Sequence, residues 1–360
     1  MKIAPVLRAL AAAAPDVDAT LVHTGQHYDK TMSDIFFRQL GIREPDVYLQ
    51  VGSGTHGAQT ARIMMTFEQY LMALDTPPRG VVVVGDVNST VGCALVAVKL
   101  GIPVAHVEAG LRSFDRTMPE EINRLVTDAI SDVLLVSEPA GLANLEREGI
   151  PADKVHYVGN VMIDTLVHQL PEARATHTAD KLGVAGNDYA LVTLHRPSNV
   201  DDKPRLTDVA AFLSRLGAAM PTMFPVHPRT DNKLREFGLR DELDAAPGVR
   251  LLEPLGYREN LDLMAGARVV VSDSGGIQEE TTYLGVPCIT LRANTERPVT
   301  ETTGTNTVVG DDLDRAWAAV EDILAGRYKS GGPVEGWDGR AAERVVAALC
   351  AAWLPARNPT

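Results

Sequence analysis

Short runs of apolar residues alternate with longer segments of helical periodicity along the whole chain. Such runs, bounded by Gly, Pro or polar residues, are typical of strands that are buried on both faces. The runs predicted to be strands are 20–23, 81–84, 104–107, 133–136, 155–158, 190–194, 222–226, 249–252, 269–271 and 288–291. Strands that alternate with helices in this way predict an α/β fold with parallel sheets and helices on both faces.

The length of the chain indicates two domains, because 360 residues exceed one ordinary hydrophobic core. The break is expected near Gly159–Arg174, where Gly-Asn leads into a polar, Ala-rich connector. We predict an N-terminal domain over 1–165, completed by a C-terminal helix over 340–355, and a C-terminal domain over 166–339. Two Rossmann-like domains that face each other across a cleft are the simplest assembly.

The chain begins inside a helix. Ile3, Val6 and Leu10 fall on one helical face. Arg8 interrupts the apolar stretch, which favours an amphipathic helix over an export segment. A doubly wound domain normally opens with a strand, so the N-terminal domain is expected to lack its first strand. Since that strand is central in a Rossmann-like order, its loss would leave two neighbouring strands unpaired.

Composition limits the class of protein and the partners that it binds. Hydrophobic residues make up 45% and charged residues 22% of the chain, as in folded water-soluble proteins. The net charge of -13 and the lack of a Lys/Arg cluster argue against nucleic acid. No apolar run reaches the length of a membrane span. Cys93, Cys288 and Cys350 are widely spaced without a CxxC motif, which favours a reducing cytoplasm and argues against a metal site.

Polar residues gather where the predicted strands end, and parallel sheets bind ligands at that edge. In the second half, the strand 269–271 is followed by Ser274, Gly275 and Gly276 and then by a helix, whose N-terminus would leave bare N–H groups for a phosphate. Glu280 lies one helical turn further and suits ribose hydroxyls. The other candidate anion donors of this half are His195, Arg196, His227, Arg229 and Arg297.

The first half supplies carboxylates at the corresponding positions. Asp86 follows the strand 81–84, Glu108 follows the strand 104–107, and Glu120 begins a predicted helix. Each has a structural alternative: Asp86 as a helix N-cap, Glu108 in an ion pair with Arg112, and Glu120 opposite a helix dipole. Polar residues follow five predicted strands on one rim, and a purely structural role at all five would be a coincidence. A ligand with a phosphate end and a neutral, proton-exchanging end fits this division, and a nucleotide sugar is such a ligand.

No Gly-rich dinucleotide or ATP motif occurs in the chain. Taken in order, its motifs instead resemble those of the non-hydrolysing UDP-N-acetylglucosamine 2-epimerases. The resemblance covers nearly the whole chain and is specific as a set. The matching stretches are Gly25–Tyr28, Gly85–Asp86, His106–Ser113, Pro119–Arg124, Gly159–Asn160, His195–Pro197, Pro225–Pro228, Asp273–Glu280 and Thr295–Pro298.

The resemblance implies a GT-B arrangement of the two domains and the interconversion of UDP-GlcNAc and UDP-ManNAc by elimination and re-addition of UDP. This reaction would supply ManNAc for surface polysaccharide. The resemblance also implies a UDP-sugar as the partner molecule, a homodimer, and no redox cofactor because the sugar undergoes no net oxidation. The implied catalytic residues are Asp86, Glu108, Glu120 and His195. The implied substrate-binding residues are Lys2, Arg196, His227, Tyr257, Ser274, Gly275, Gly276, Glu280 and Arg297.

The chain departs from the family at its start. The family opens with a strand and a Gly-Thr-Arg-Pro-Glu loop, whereas this chain enters at Met1–Pro5, where Lys2 matches the family lysine. A gene start assigned too far downstream would produce this difference, and a real loss would make the chain a non-catalytic remnant. Three further alternatives stay open: an epimerase of a related UDP-acetamido sugar, a hydrolysing relative, and a GT-B glycosyltransferase.

Overall fold

The computed structural model describes residues 1–25 and 41–354, and Gln26, His27 and Tyr28 of the first matching motif lie outside this range. The twelve strands of the described residues are β1 Val22–His23, β2 Val47–Tyr48, β3 Val81–Val84, β4 Val104–Ala109, β5 Val133–Val136, β6 Val155–Tyr157, β7 Ala190–Thr193, β8 Thr222–Pro225, β9 Val249–Leu252, β10 Val269–Ser272, β11 Cys288–Thr290 and β12 Asn306–Val308.

The helices share apolar faces that cover these strands. They are α1 Ile3–Ala13, α2 His56–Met72, α3 Asn88–Lys99, α4 Pro119–Ile130, α5 Pro139–Arg147, α6 Val161–Arg174, α7 Thr178–Lys181, α8 Pro197–Val200, α9 Lys203–Ala219, α10 Pro228–Phe237, α11 Arg240–Asp244, α12 Tyr257–Gly266, α13 Gly275–Leu284, α14 Val299–Thr302, α15 Leu313–Leu324 and α16 Ala341–Trp353.

The chain forms two compact units. The N-terminal unit contains Met1–Thr165 and the chain from Glu335 onward, and the C-terminal unit contains Leu166–Val334. The division falls inside α6, within the range 159–174 where the break was expected. The side chain of Asn160 accepts a hydrogen bond from the N–H of Met162, which starts the helix.

In the N-terminal unit, the strands β3, β4, β5 and β6 form a parallel sheet in that order. Alternate residues of the buried strands point to opposite faces of the sheet. Ala105, Val107 and Leu135 pack with residues of α1 and α16. Val83 and Val104 pack on the other face with residues of α2 and α3. The apolar runs of this unit are therefore strands because helices cover both of their faces.

The sheet of the N-terminal unit is interrupted. β1 and β2 pair only with each other among the described residues, in a separate parallel sheet. A cavity of about 1070 Å³ is lined by residues of both Thr20–Thr24 and Gly80–Val84. Among the described residues, β1 therefore pairs only with β2, and β3 pairs only with β4.

The C-terminal unit has one continuous parallel sheet of six strands in the order β12-β11-β10-β7-β8-β9. This is the order of a doubly wound domain, and the strand order reverses between β7 and β10. Hydrophobic clusters fill both faces: Val192 and Val271 belong to one, and Leu191 and Val270 belong to the other. The ends of β7 and β10 therefore meet at the switch point where such sheets bind ligands.

All ten predicted strands are present, with ends that differ by up to two residues. β2 and β12 were not predicted, since each has only two or three residues without a clear apolar run. β4 continues to Ala109 through a bulge between Val107 and Ala109. Within the described residues, no helix has both the length and the apolarity needed to cross a membrane.

Candidate functional site

Asp86 follows β3 directly, and its side chain is held by a buried arginine. Its Oδ2 atom lies 2.5 Å from Nη1 of Arg124, whose side chain is only 2% exposed. The other side of the Arg124 guanidinium contacts Glu121 at 2.9 Å. Val87, not Asp86, is the N-cap residue of α3, so the alternative of a helix cap was wrong. Asp86 is a partly exposed carboxylate oriented from behind by a cation.

Glu108 occupies the bulge of β4 with an unusual backbone conformation. Its φ of 74° lies in the left-handed region, which costs a residue other than Gly about 1–3 kcal/mol and is found mostly at functional sites. Its Oε2 atom lies 2.6 Å from Nζ of Lys2. The alternative ion pair with Arg112 was wrong, because Arg112 pairs with Asp128 and Glu148 instead. The partner of Glu108 thus comes from the start of the chain.

Glu120 and Glu121 lie in the first turn of α4 behind Pro119. Glu121 is buried and accepts hydrogen bonds from the N–H groups of Ser113 and Phe114. Burial opposes its ionisation, but the Ser113 N–H and Arg124 hold the pKa of Glu121 below its usual value. Glu120 is half-buried and, within the part of the chain that the structure describes, has neither an ion pair nor a side-chain hydrogen bond. Glu120 is thus the carboxylate free to meet a ligand.

Shared partners bring the three carboxylates of the N-terminal unit to one edge of its sheet. Arg124 contacts Asp86 and also Glu121, the neighbour of Glu120. Lys2 contacts Glu108, and its Nζ atom lies 3.0 Å from the point where a side chain at Gly85 would begin. The ends of β3 and β4 and the start of α4 therefore converge, as the sequence predicts for this edge.

In the C-terminal unit, His195 is oriented by a buried aspartate. Asp273 is fully buried and lies 3.0 Å from Nδ1 of His195. It also accepts hydrogen bonds from the backbone N–H of Arg196 and from the side chain of Asn199. Burial disfavours its charge, but these donors, His195 first, hold the pKa of Asp273 below the usual range. His195 is thus fixed with its Nδ1 toward Asp273 and its other nitrogen directed away.

A second imidazole lies beside His195. The ring centroids of His195 and His227 are 5.6 Å apart. Nδ1 of His227 accepts the backbone N–H of Arg229, so this ring is a neutral acceptor on that side. Burial and the neighbouring His195 lower the pKa of His227. Arg229 itself pairs with Asp201 on the surface, and its role as an anion donor stays a prediction.

The loop after β10 leads into α13, which begins at Gly275 with Ser274 as its N-cap residue. The N–H of Ser274 donates to Oγ of Ser272, so this N–H is already paired, contrary to the expectation from the sequence. Within the described residues, the N–H groups of Gly275 and Gly276 have no acceptor in the chain. A Cβ at Gly275 would lie 3.1 Å from Arg297 and 3.7 Å from Arg292. A helix N-terminus and two guanidinium groups thus meet at Gly275.

Buried acids hold these two arginines. Nε of Arg297 lies 2.6 Å from Oε1 of Glu279, and Arg292 lies 2.8 Å from Glu296. Burial opposes the charge of Glu296, but Arg292 and Arg297 lower its pKa to about 2. Arg292 was not among the predicted site residues. Its position two residues after β11 was the signal that could have identified it.

Glu280 differs from Asp273, Glu279 and Glu296 because the side chain recorded against it is a neutral hydroxyl. Its side chain is buried, and the hydroxyl of Tyr257 donates to Oε1 at 2.9 Å. Burial raises the pKa of Glu280 to about 7. A carboxyl with a pKa near neutrality is a candidate functional group, and its oxygens can accept hydrogen bonds from the hydroxyl groups of a ligand. Among the described residues, no cluster of His, Cys, Asp and Glu is arranged to hold a metal ion.

Three comparisons with known proteins agree. Residues 9–350 match the family model described as UDP-N-acetylglucosamine 2-epimerase. The UDP-N-acetylglucosamine 2-epimerase of Methanocaldococcus jannaschii is 42% identical over 97% of this chain and 95% of its own. Its crystal structure in complex with UDP-GlcNAc and UDP matches with a TM-score of 0.86, over 97% of this chain and 96% of that chain. The UDP-2,3-diacetamido-2,3-dideoxy-D-glucuronate 2-epimerase of Pseudomonas aeruginosa is 40% identical over 91% of this chain and 89% of its own.

Proposed function

The chain belongs to the UDP-N-acetylglucosamine 2-epimerase family, and we propose that it interconverts UDP-N-acetylglucosamine and UDP-N-acetylmannosamine. The observation that carries the proposal is the convergence of Asp86, Glu108 and Glu120 at one sheet edge, each in a different setting. Inversion at a carbon that bears one hydrogen needs groups that remove a proton from one side and return it from the other.

The chemical difficulty lies in the C2–H bond of the sugar. This carbon has no adjacent carbonyl, so its proton is barely acidic. When the C1–O bond to UDP breaks, both of its electrons leave with the diphosphate and C1 gains cationic character, which acidifies C2–H. A carboxylate then takes the proton, and the C–H electrons form the double bond of 2-acetamidoglucal. Addition of a proton to the opposite face of C2 and of UDP to C1 gives the epimer with atoms and charge balanced.

The settings of the three carboxylates suggest how they share this work. We assign proton transfer at C2 to Asp86 and Glu120. Arg124 orients Asp86, whereas Glu120 has no cation partner among the described residues. Glu108 is paired with Lys2 and suits orientation of the sugar or a share in the same proton transfer.

The C-terminal unit supplies groups that suit UDP. The free N–H groups of Gly275 and Gly276, with Arg292 and Arg297 beside them, suit the diphosphate as its charge grows. Glu280 suits the ribose hydroxyls, with Tyr257 as its support. His195 suits stabilisation or protonation of the departing phosphate, because Asp273 fixes its orientation. Arg196 and His227 are the further polar groups of this edge. The reaction leaves the oxidation state of the sugar unchanged, so no redox cofactor is needed.

Incubation with UDP-N-acetylglucosamine in heavy water tests the proposal. An epimerase incorporates deuterium at C2 of both epimers, and mass spectrometry with proton NMR measures it. Release of free N-acetylmannosamine and UDP would indicate a hydrolase. A glycosyltransferase would leave C2 undeuterated and would need an acceptor. Absence of both turnover and exchange would indicate a non-catalytic chain.

A second candidate substrate follows from the relative in Pseudomonas aeruginosa, which is an epimerase of a diacetamido uronic acid. The reacting C2 centre is the same in both sugars, so the carboxylates do not distinguish between them. Parallel measurements of kcat/KM with the two UDP-sugars identify the preferred substrate. A ratio that favours the uronic acid would replace the first proposal on substrate but not on mechanism.

We also propose that the enzyme works as a homodimer in the cytoplasm. The three cysteines, Cys93, Cys288 and Cys350, are unpaired thiols, which fits a reducing compartment. Met65 and Met72 of α2 are 61% and 72% exposed, which suits a contact with a second copy. Sedimentation velocity of the parent protein and of Met65→Lys would test the dimer, because a charge in that contact would favour monomers.

A further inference from the structure

We propose that His106 is a positioning residue that carries a proton on both ring nitrogens and ties the loops of Asp86 and Glu108 to α4. The inference deepens the proposed function and rests on the assignment of these carboxylates to the reaction. His106 lies on β4, between the two loops, and is fully buried. No role in the proposed reaction has so far been given to it.

The ring of His106 contacts an oxygen at each nitrogen. Nε2 lies 2.8 Å from the carbonyl oxygen of Gly85, the residue before Asp86. Nδ1 lies 2.6 Å from Oδ1 of Asp128 in α4. The second oxygen of Asp128 accepts the backbone N–H of Gly110, two residues after Glu108.

The contacts decide where the protons are. A carbonyl oxygen can only accept, so Nε2 of His106 must donate to Gly85. Asp128 also lies 2.7 Å from the guanidinium of Arg112 and accepts the Gly110 N–H, and both contacts favour its charged form, so it is a carboxylate. A carboxylate also only accepts, so Nδ1 must donate as well. His106 is therefore an imidazolium with two fixed hydrogen bonds.

The charge of this ring is balanced within the same group of side chains. Arg112 contacts Asp128 at 2.7 Å and Glu148 at 2.7 Å. Two cations, His106 and Arg112, thus face two anions, Asp128 and Glu148. Buried ions are tolerated where they are compensated and hydrogen-bonded in this way.

The connection matters because the segment that it fixes is strained. Glu108 has a left-handed φ, and Gly110 follows with a φ of 82°. A Cβ at Gly110 would lie 2.6 Å from the carbonyl oxygen of Gly141, so the segment is also tightly packed. His106 and the Gly110 N–H anchor both ends of the bulge to Asp128. Glu120 lies in the first turn of α4, the helix that also contains Asp128. Without this anchor we expect Glu108 and Asp86 to shift relative to Glu120.

His106→Gln tests the inference, with His156→Gln on β6 as the control from another strand of the same sheet. Glutamine can donate to only one of the two acceptors. We expect kcat for deuterium incorporation to fall about 10- to 100-fold, because small displacements of catalytic groups cost that much. KM is expected to stay within about threefold, since the groups assigned to UDP lie in the other unit. His156→Gln is expected to leave both constants unchanged.

A second variant tests whether the pair acts as a unit. Asp128→Asn is expected to lower kcat to a similar extent, and the double variant is expected to be no worse than the worse single one. If instead His106→Gln lowers only the melting temperature while kcat stays at the parent value, the ring is a core residue and the inference is wrong. Additive losses in the double variant would also contradict it.

The ring state is measured on the unaltered 360-residue protein, which covers the case of a variant that does not fold. Nitrogen-15 NMR of the histidine side chains is expected to show a proton on both nitrogens of His106, because each nitrogen faces an acceptor. A neutral tautomer would overturn the inference whatever the kinetics. If the parent protein fails to exchange C2 deuterium, the proposed function fails, and the NMR result still decides the state of His106.

Discussion

The two units arrange charge in opposite ways at their candidate edges. In the N-terminal unit the groups that can meet a ligand are carboxylates, and the buried group behind Asp86 is the cation Arg124. In the C-terminal unit the groups that can meet a ligand are N–H donors and His195, and the buried group behind His195 is the carboxylate Asp273. The difference supports the proposed division of labour, in which the N-terminal unit transfers protons and the C-terminal unit binds the diphosphate.

The overall negative charge of the protein bears on how positive groups are placed in the C-terminal unit. The net charge of the chain is -13, so an anion site has to be built against the overall field of the protein. Arg292 and Arg297 provide that local positive charge, and Glu279 and Glu296 hold them in place. The two glutamates therefore orient the guanidinium groups, and they also neutralise part of the positive charge of the arginines.

The largest expected effect tests the N-terminal side of the comparison. Asp86→Asn removes the charge that accepts the C2 proton while keeping the shape of the side chain. We expect kcat to fall about 100-fold or more, as for loss of a general base. Steady-state turnover and C2 deuterium exchange measure it. Asp153→Asn, in an exposed turn, is the matched control and should retain parental activity. Parental activity in Asp86→Asn would remove proton transfer from this residue.

A second prediction concerns Glu280, the buried acid of the C-terminal unit that is contacted by the hydroxyl of Tyr257. Glu280 has a pKa of about 7, whereas an unfolded glutamate has about 4.5. Above pH 7 the folded protein must keep a buried charge, so stability falls as the pH rises from about 4.5 to about 7. Glu280→Gln removes this penalty. We expect the variant to exceed the parent by about 3 kcal/mol in unfolding free energy near pH 8, and the difference to vanish near pH 4.

Urea unfolding at several pH values measures this difference. Tyr257→Phe is a useful companion, because it removes the hydroxyl that donates to Glu280. It should make the buried charge more costly and increase the pH dependence. If the unfolding free energies of the parent and of Glu280→Gln change in parallel with pH, Glu280 keeps an ordinary pKa. Glu280 would then not differ from the other buried acids of the C-terminal unit.

The sequence predicted the type of most elements but not the partners of most side chains. The ten apolar runs are strands because period and length are local properties. The partner of Glu108 is Lys2, which lies 106 positions away, whereas the nearby Arg112 was the partner weighed from the sequence. Choice of partner depends on which strands and helices meet, and a pattern along the chain does not contain that information.

Candidate residues could be proposed from their positions at strand ends, whereas their contacts depend on loop geometry that the sequence does not display. Polar residues at strand ends are visible in the sequence, and the C-terminal ends of parallel strands share one edge. The hydrogen bond from the Ser274 N–H to Ser272 and the pairing of Arg229 with Asp201 depend on local geometry that varies between loops. Arg124, buried behind two carboxylates, was named only as the last residue of the matching stretch Pro119–Arg124.

A third prediction weakens anion binding without touching proton transfer. Gly275→Ala places a methyl group 3.1 Å from Nη1 of Arg297, where a phosphate oxygen is expected. We expect KM for UDP-N-acetylglucosamine to rise about 10-fold while kcat changes by less than about threefold, because the lost contact exists in both ground and transition states. Gly57→Ala, where nothing lies within 4 Å, is the control. A fall in kcat with an unchanged KM would place Gly275 in the chemical step and blur the division of labour.

The smallest effect concerns the two sheets themselves and leaves activity unchanged. Among the described residues, β7 is paired on both sides, whereas β3 pairs only with β4 and borders the cavity with its other edge. Because alternate N–H groups of a strand point to opposite edges, Val81 donates to Pro103 of the β4 side, and the N–H groups of Val82 and Val84 point to the cavity. Hydrogen exchange followed by NMR should be about 10-fold or more faster at Val82 and Val84 than at Val81 and Val83. Equal protection of all four would mean that another backbone segment pairs with this edge in solution, and the contrast between an interrupted and a continuous sheet would then not hold for the working protein.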